Sequence, residues 1–183
     1  MGYLTLDELG RLADRGELDT VIVAFADMQG RLVGKRVSAR LFREEVAVHG
    51  AEACNYLLAV DLEMNTVGGY AISSWETGYG DMVLVPDLAT LRSIPWLPGS
   101  ALVVADLQRL DGVAVAQSPR EILKTQIARL AEHGLVPFVG TELEFLVFDD
   151  GYRDAWRKGY RDLTPASDYN IDYALLASTR MEP

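Results

Sequence analysis

At 183 residues, with 49 % hydrophobic and 24 % charged residues, the chain is long enough for one large domain or two small ones and apolar enough to bury a core. A formal net charge of -10 and a pI near 4.6 exclude a surface built for nucleic acid or an anionic membrane, which would need clustered Lys and Arg. No run of about 18 apolar residues and no secretory leader pattern is present, and the one cysteine, Cys54, cannot form an internal disulfide, so a cytoplasmic protein with a core thiol is expected.

Leu4, Leu6, Leu9 and Leu12 with Ala13 recur at helical spacing, and Thr5 with Glu8 makes a capping box, which predicts a short helix ending near Gly16. Thr20 to Met28 is β-branched and apolar, Gln29-Gly30-Arg31 signals a turn, and Leu32 to Val37 continues as a second strand, giving a hairpin. Arg40 to His49 has helical periodicity through Leu41, Phe42, Val46 and Val48, stopped by Gly50. Asn55 to Leu62 reads as a strand. From Asn65 to Gly80 no period holds, which predicts a loop of about fifteen residues, a length that in compact domains goes with function or mobility.

Met82 to Val85 reads as a short strand, Ala89 to Ser93 as one helical turn and Ala101 to Leu107 as another strand. Ile94 to Gly99 is extended, because each Pro restricts the residue before it. Strands enclosing one helix predict a small α+β unit over residues 17–112, closed by the turn at Asp111-Gly112. A second part opens at Ser118 as N-cap, with Pro119 at the first helical position and Glu121 behind it. Ile122, Leu123, Ile127, Leu130 and Ala131 then form one apolar stripe, and Gly134 supplies the stop. His49 and His133 sit at helix ends, where interaction with the helix dipole is expected rather than metal ligation.

Residues 136 to 148 read as a strand bounded by Pro137 and by Asp149-Asp150-Gly151, yet they contain two carboxylates, Glu142 and Glu144. Alternation along a strand puts both on one face about 7 Å apart, where they repel by roughly 2 kcal/mol at an effective dielectric near 20. A solvated edge strand, protonation of one Glu, nearby Arg or Lys, or divalent cations would each relieve this. Leu146 and Phe148 make the same face apolar straight after the pair, as at the lip of a cavity, and hard oxygen donors suit magnesium or manganese. Beyond it, Tyr152 to Asp168 is a polar and aromatic connection. Ile171, Leu175 and Leu176 begin a helical stripe without a completed partner, so the chain reads as the amino-terminal part of something longer.

Gly140-Thr141-Glu142-Leu143-Glu144-Phe145 resembles the Gly-x-Glu-x-Glu-Phe metal-binding strand that opens the catalytic domain of the glutamine synthetase family. Asp27-Met28-Gln29-Gly30 with Gly34-Lys35-Arg36-Val37 resembles the first hairpin of that family's β-grasp domain. Gly80-Asp81-Met82-Val83-Leu84-Val85-Pro86-Asp87 with Ile94-Pro95-Trp96 resembles its later strand and loop, and Ser118-Pro119-Arg120 the start of the catalytic helix. The resemblance implies a β-grasp domain over residues 17–112 and the start of a catalytic domain over 118–183. It also implies an ATP-dependent reaction in which the γ-carboxylate of glutamate is phosphorylated and an amine displaces phosphate. Glu142 would serve the cation that bridges the nucleotide phosphates, and Glu144 the cation near glutamate and the amine, with Mg2+ or Mn2+ in both sites. Stacked rings, a dodecamer at full length, are implied as well, each site being shared between the β-grasp loop of one subunit and the catalytic domain of its neighbour. The chain alone is then expected to be inactive.

Ammonia-using members carry Asp-Gly-Ser-Ser in the long β-grasp loop, and the Asp binds ammonium. Here Asn65 to Trp75 offers no acid between Glu63 and Glu76. The pattern looks more like the γ-glutamyl-polyamine and γ-glutamyl-ethanolamide synthetases, with Trp75 and Glu76 placed to contact a larger amine. Glutamine synthesis with ammonia is one alternative, and a non-catalytic binding or assembly module of the same fold is another.

Overall fold

The computed structural model describes residues 3–76, 78–167 and 173–174. They fall into two compact units, Met1–Pro137 and Phe138–Pro183.

In the first unit the Thr5 hydroxyl accepts from the Glu8 backbone N–H while the Glu8 carboxylate takes the Thr5 N–H, and this capping box starts α1 (Leu6–Asp14). The predicted hairpin forms as β1 (Thr20–Ala26) and β2 (Leu32–Ser38), antiparallel and in register from Thr20↔Ser38 to Ala26↔Leu32. Gly34 lies opposite Ala24. A side chain there would put its Cβ 2.0 Å from the Val23 carbonyl oxygen, so only glycine lets the two strands approach. The next helix runs from α2 (Ala39–Leu41) through a π turn (Phe42–Val46) to α3 (Ala47–His49), and the π turn buries Phe42 and Val46 together.

Strand β3 is Ala51–Cys54, and Asn55–Leu58 is a 3-10 turn, so the predicted strand over Asn55 to Leu62 is corrected. The ladder with β4 (Asp81–Pro86) stops at Cys54↔Asp81, and Asn55 then spends its side chain on the loop: its Nδ2 donates to the Ile72 carbonyl and its Oδ1 accepts from Gly80 N–H. Cys54, at the end of this edge strand, is half-buried rather than a core thiol. Leu88–Thr90 forms the expected single turn, capped by Asp87, but Arg92–Ser93 beyond it is a short strand, β5.

Strand β6 (Ser100–Arg109) completes a sheet of order β2-β1-β6-β4-β3, with β5 pairing β6 beside that path. The first and last long strands are parallel neighbours in its middle, from Thr20↔Ser100 to Ala24↔Val104, and the other pairs are antiparallel. Alternate residues of β6, Ala101, Val103, Ala105 and Leu107, are buried in one core with Val21, Val23 and Phe25 of β1, with Leu9 of α1 and with Phe42. Predicted and observed class agree at this level: α+β, a mixed sheet with helices packed on it.

Helix α4 (Pro119–Glu132) starts at Ser118 as expected, although the Ser118 hydroxyl makes no cap bond. Its predicted apolar stripe is not buried. Ile122, Leu123 and Ile127 stay exposed, and the helix is held instead by charge. Arg120 Nε donates to Asp106 at 2.8 Å and its Nη2 to Asp87, and Lys124 Nζ donates to Asp106 at 2.8 Å. Burial alone would raise the Asp106 carboxyl, but the bonds from Lys124 and Arg120 outweigh it and hold the group below the usual aspartate range. Such a carboxylate stabilises the fold above its ordinary pKa and loses that contribution as the pH falls through its lowered one. Asp106→Asn is therefore expected to cost about 1–2 kcal/mol at neutral pH. In thermal melts, the gap between variant and wild type should close below about pH 4.

The second unit holds α5 (Tyr152–Arg157) and a short pairing in which Phe148 bridges Pro165, Asp149 N–H donates to the Thr164 carbonyl and Ala166 N–H to that of Val147. Lys158 and the Thr164 N–H both bond the Asp150 carboxylate, and these bonds, that of Lys158 first, hold its pKa down. The predicted stripe at Ile171, Leu175 and Leu176 lies outside the described residues.

Candidate functional site

The long loop of the first unit, residues 59–80, is rooted in the β1–β2 turn. Asp27 is buried, and its Oδ1 accepts the backbone N–H groups of Gln29 (2.9 Å) and Arg31 (2.8 Å), closing the turn around Gly30 at φ 81. Its Oδ2 takes the Nε–H of Arg31 at 2.7 Å. The guanidinium of Arg31 then reaches outward: Nη1 donates to the Leu62 carbonyl at 2.6 Å and Nη2 to the Asp61 carbonyl at 3.0 Å. Gln29 Nε2 adds a bond to the Val60 carbonyl at 2.9 Å. Asp61 tightens the same bend by accepting from the N–H groups of Glu63 and Asn65 and from Asn65 Nδ2.

The far end of the loop is tied by Asn55. Its bonds to Ile72 and Gly80 close a smaller loop that carries Trp75 and Glu76. Trp75 is 83 % exposed and meets Tyr79 edge-on at 5.3 Å between ring centroids; Tyr79 meets Tyr56 in the same way at 6.1 Å. The Glu76 carboxylate, exposed beside Trp75, is held below its usual range by its own backbone N–H and by the Ser74 hydroxyl. An ionised carboxylate next to an exposed aromatic ladder is chemistry suited to an organic cation. Trp75 and Glu76 are neighbours in the sequence, whereas Tyr56 and Tyr79 join Trp75 in one row only in the folded loop.

Glu142 and Glu144 belong to the second unit. The strand predicted over residues 136 to 148 does not form: residues 135–147 have no regular structure, and only Phe148 finds a bridge. A strand exists by pairing, and among the described residues only the segment near Pro165 pairs with this one. Placement of the two acids on one strand face is corrected accordingly. Phe138 (95 % exposed), Leu143 (88 %) and Leu146 (83 %) show how little covers this stretch. Both carboxylates are exposed, and no hydrogen bond or ion pair among the described residues engages either. As hard oxygen donors they fit magnesium or manganese. The described residues contain no group of three or more His, Cys, Asp or Glu able to hold a metal. His49 and His133 end their helices as expected, His133 as the C-cap of α4.

Residues 116–178 match the family model described as the glutamine synthetase catalytic domain. The chain is 57 % identical over 180 residues to a gamma-glutamylethanolamide synthetase of Streptomyces coelicolor, an overlap that covers 98 % of this chain and 39 % of that protein. It is 29 % identical over 163 residues to a glutamate–isopropylamine ligase of a Pseudomonas species, covering 89 % of this chain and 36 % of the relative. Among solved structures, one described as a GmaS/ADP complex superposes with a TM-score of 0.52 at 26 % identity, over 68 % of this chain and 26 % of that one. A glutamine synthase homolog shares the fold at 19 % identity, with a TM-score of 0.53 over 63 % of this chain and 27 % of its own. The chain thus spans less than two fifths of the length of either of these two relatives. Among the described residues no helix is long and apolar enough to cross a membrane.

Proposed function

We propose that this chain, which belongs to the glutamine synthetase family, contributes to an ATP-dependent ligase that joins the γ-carboxylate of glutamate to a small primary amine, ethanolamine first and polyamines next. The observation that carries the reading is the identity of 57 % to a gamma-glutamylethanolamide synthetase across 98 % of the chain. The loop supports it. No acid stands between Glu63 and Glu76 to hold an ammonium ion, whereas Trp75 and Glu76 present an apolar face and a carboxylate side by side. An ω-substituted ammonium needs both, one for its methylenes and one for its charge.

In this reading residues 17–112 form the β-grasp domain, supported by a sheet whose first and last long strands are parallel neighbours at its centre. Residues 118–183 open the catalytic domain, supported by the family match that begins at residue 116. Glu142 and Glu144 hold Mg2+ or Mn2+, which when bound neutralise phosphate charge and polarise the acyl phosphate. Glu76 keeps the amine oriented as its ammonium while Trp75 excludes water from its carbon chain. Assembly into stacked rings in the cytoplasm belongs to the same reading, with each site shared between neighbouring subunits.

The test is γ-glutamyl amide formation by the complete protein with glutamate, ATP and a panel of amines. Turnover is expected to be faster with ethanolamine or a polyamine than with ammonia. Faster turnover with ammonia than with every organic amine would return the chain to glutamine synthesis, and no amide with any amine would remove the ligase reading.

A further inference from the structure

We infer that Tyr79 is a positioning residue for amine recognition: its ring links the indole of Trp75 to the 3-10 turn Asn55–Leu58 and so presents that indole to the carbon chain of the amine. The substrate rests on the ligase reading, the mechanism on a row of contacts that starts in the core. Leu58, the last residue of the turn, is buried in the core of the first unit. Asn55, its first residue, holds both ends of the small loop. Its Nδ2 donates to the Ile72 carbonyl at 3.0 Å, its Oδ1 accepts from the Gly80 N–H at 3.3 Å, and its own N–H donates to the Gly80 carbonyl at 2.9 Å. Tyr79 directly precedes Gly80, and its ring meets that of Tyr56, the second residue of the turn, at 85°. On its other side it meets Trp75 at 83°. Glu76 is placed separately, by its own backbone N–H and the Ser74 hydroxyl. Among the described residues Tyr79 supplies the ring contact of an indole that is otherwise exposed. An indole free to turn would have to be ordered when the amine binds. One already held edge-on is not, and amine affinity gains by the difference.

Tyr79→Leu removes the ring and keeps apolar bulk, whereas Tyr79→Phe keeps the ring. Tyr79 is 37 % exposed and its hydroxyl makes no hydrogen bond among the described residues, so the complete protein with either change should melt near the wild-type temperature. In Tyr79→Leu, amide exchange around Trp75 is expected to quicken and KM for ethanolamine to rise about fivefold, with KM for ATP and for glutamate unchanged. Tyr79→Phe should match the wild type in both. Added to Trp75→Ala, Tyr79→Leu should raise KM no further, because its effect runs through that ring. Wild-type exchange in Tyr79→Leu would overturn the inference, as would faster exchange with an unchanged ethanolamine KM or an equal rise in all three KM values. Impairment of Tyr79→Phe to the level of Tyr79→Leu, or a full further rise in the Trp75→Ala background, would do the same. Should Tyr79→Leu fail to fold, Tyr56→Leu removes the outer ring of the row and is read by the same outcomes. If the wild-type protein makes no γ-glutamyl amide at all, the ligase reading fails by itself. Exchange in Tyr79→Leu then still decides whether the ring row holds the loop, unchanged exchange again overturning it.

Discussion

If the proposed function holds, replacing Glu142 or Glu144 with Gln in the complete protein is expected to reduce γ-glutamyl amide synthesis by about a hundredfold or more, since on that reading each change removes an anionic oxygen donor from a site that stabilises phosphoryl charge. The melting temperature should hardly move. Both side chains are exposed and bond nothing among the described residues, so the fold spends nothing on them. That separation is what distinguishes a cation-binding role from a structural one. Magnesium titration adds a second readout: each variant should need a higher concentration for half-maximal activity. Full activity in the double variant would remove these two residues from the site.

Gly34→Ala is expected to destabilise the first unit strongly, costing about 3 kcal/mol or more. A methyl group there would stand 2.0 Å from the Val23 carbonyl oxygen and 2.9 Å from the Ala24 Cα, both backbone atoms that cannot swing aside. The hairpin would have to part in its middle, opposite one of its buried residues. Gly112→Ala is the control. It too has a positive φ, of 81°, but nothing within 4 Å of the new Cβ, and should cost about 1–2 kcal/mol for the left-handed backbone alone. Equal losses for the two variants in denaturant titrations would mean that close approach is not what selects glycine at residue 34.

Local chemistry made much of the fold legible. Thr5 and Glu8 carry their own cap, Gln29-Gly30-Arg31 its own turn, and Pro119 its own helix start, and all three form where expected. What depended on distant partners was less legible. Asn55 to Leu62 is apolar enough for a strand, but its backbone leaves the ladder because Asn55 bonds residues 72 and 80. Residues 136 to 148 have the composition of a strand and lack a described neighbour along most of their length. The stripe on α4 is real as a pattern, yet Arg120 and Lys124 reaching Asp87 and Asp106 are what hold the helix. The Asp27 turn was recognisable as a motif. That its arginine reaches carbonyls about thirty residues further on is a property of the folded chain, and so is the edge-on row of Tyr56, Tyr79 and Trp75.

The parallel pairing of Thr20 with Ser100 also governs when the first unit can form. During synthesis, the hairpin of β1 and β2 can close early, but β1 waits through 80 residues, from position 20 to position 100, for its other neighbour. Loop-closure entropy must be met before that contact returns any stabilisation, which makes the step slow relative to helix or hairpin formation. Until β6 has left the ribosome, Val21, Val23 and Phe25 have no finished core to enter, and the nascent chain is at its most exposed to chaperones and to self-association.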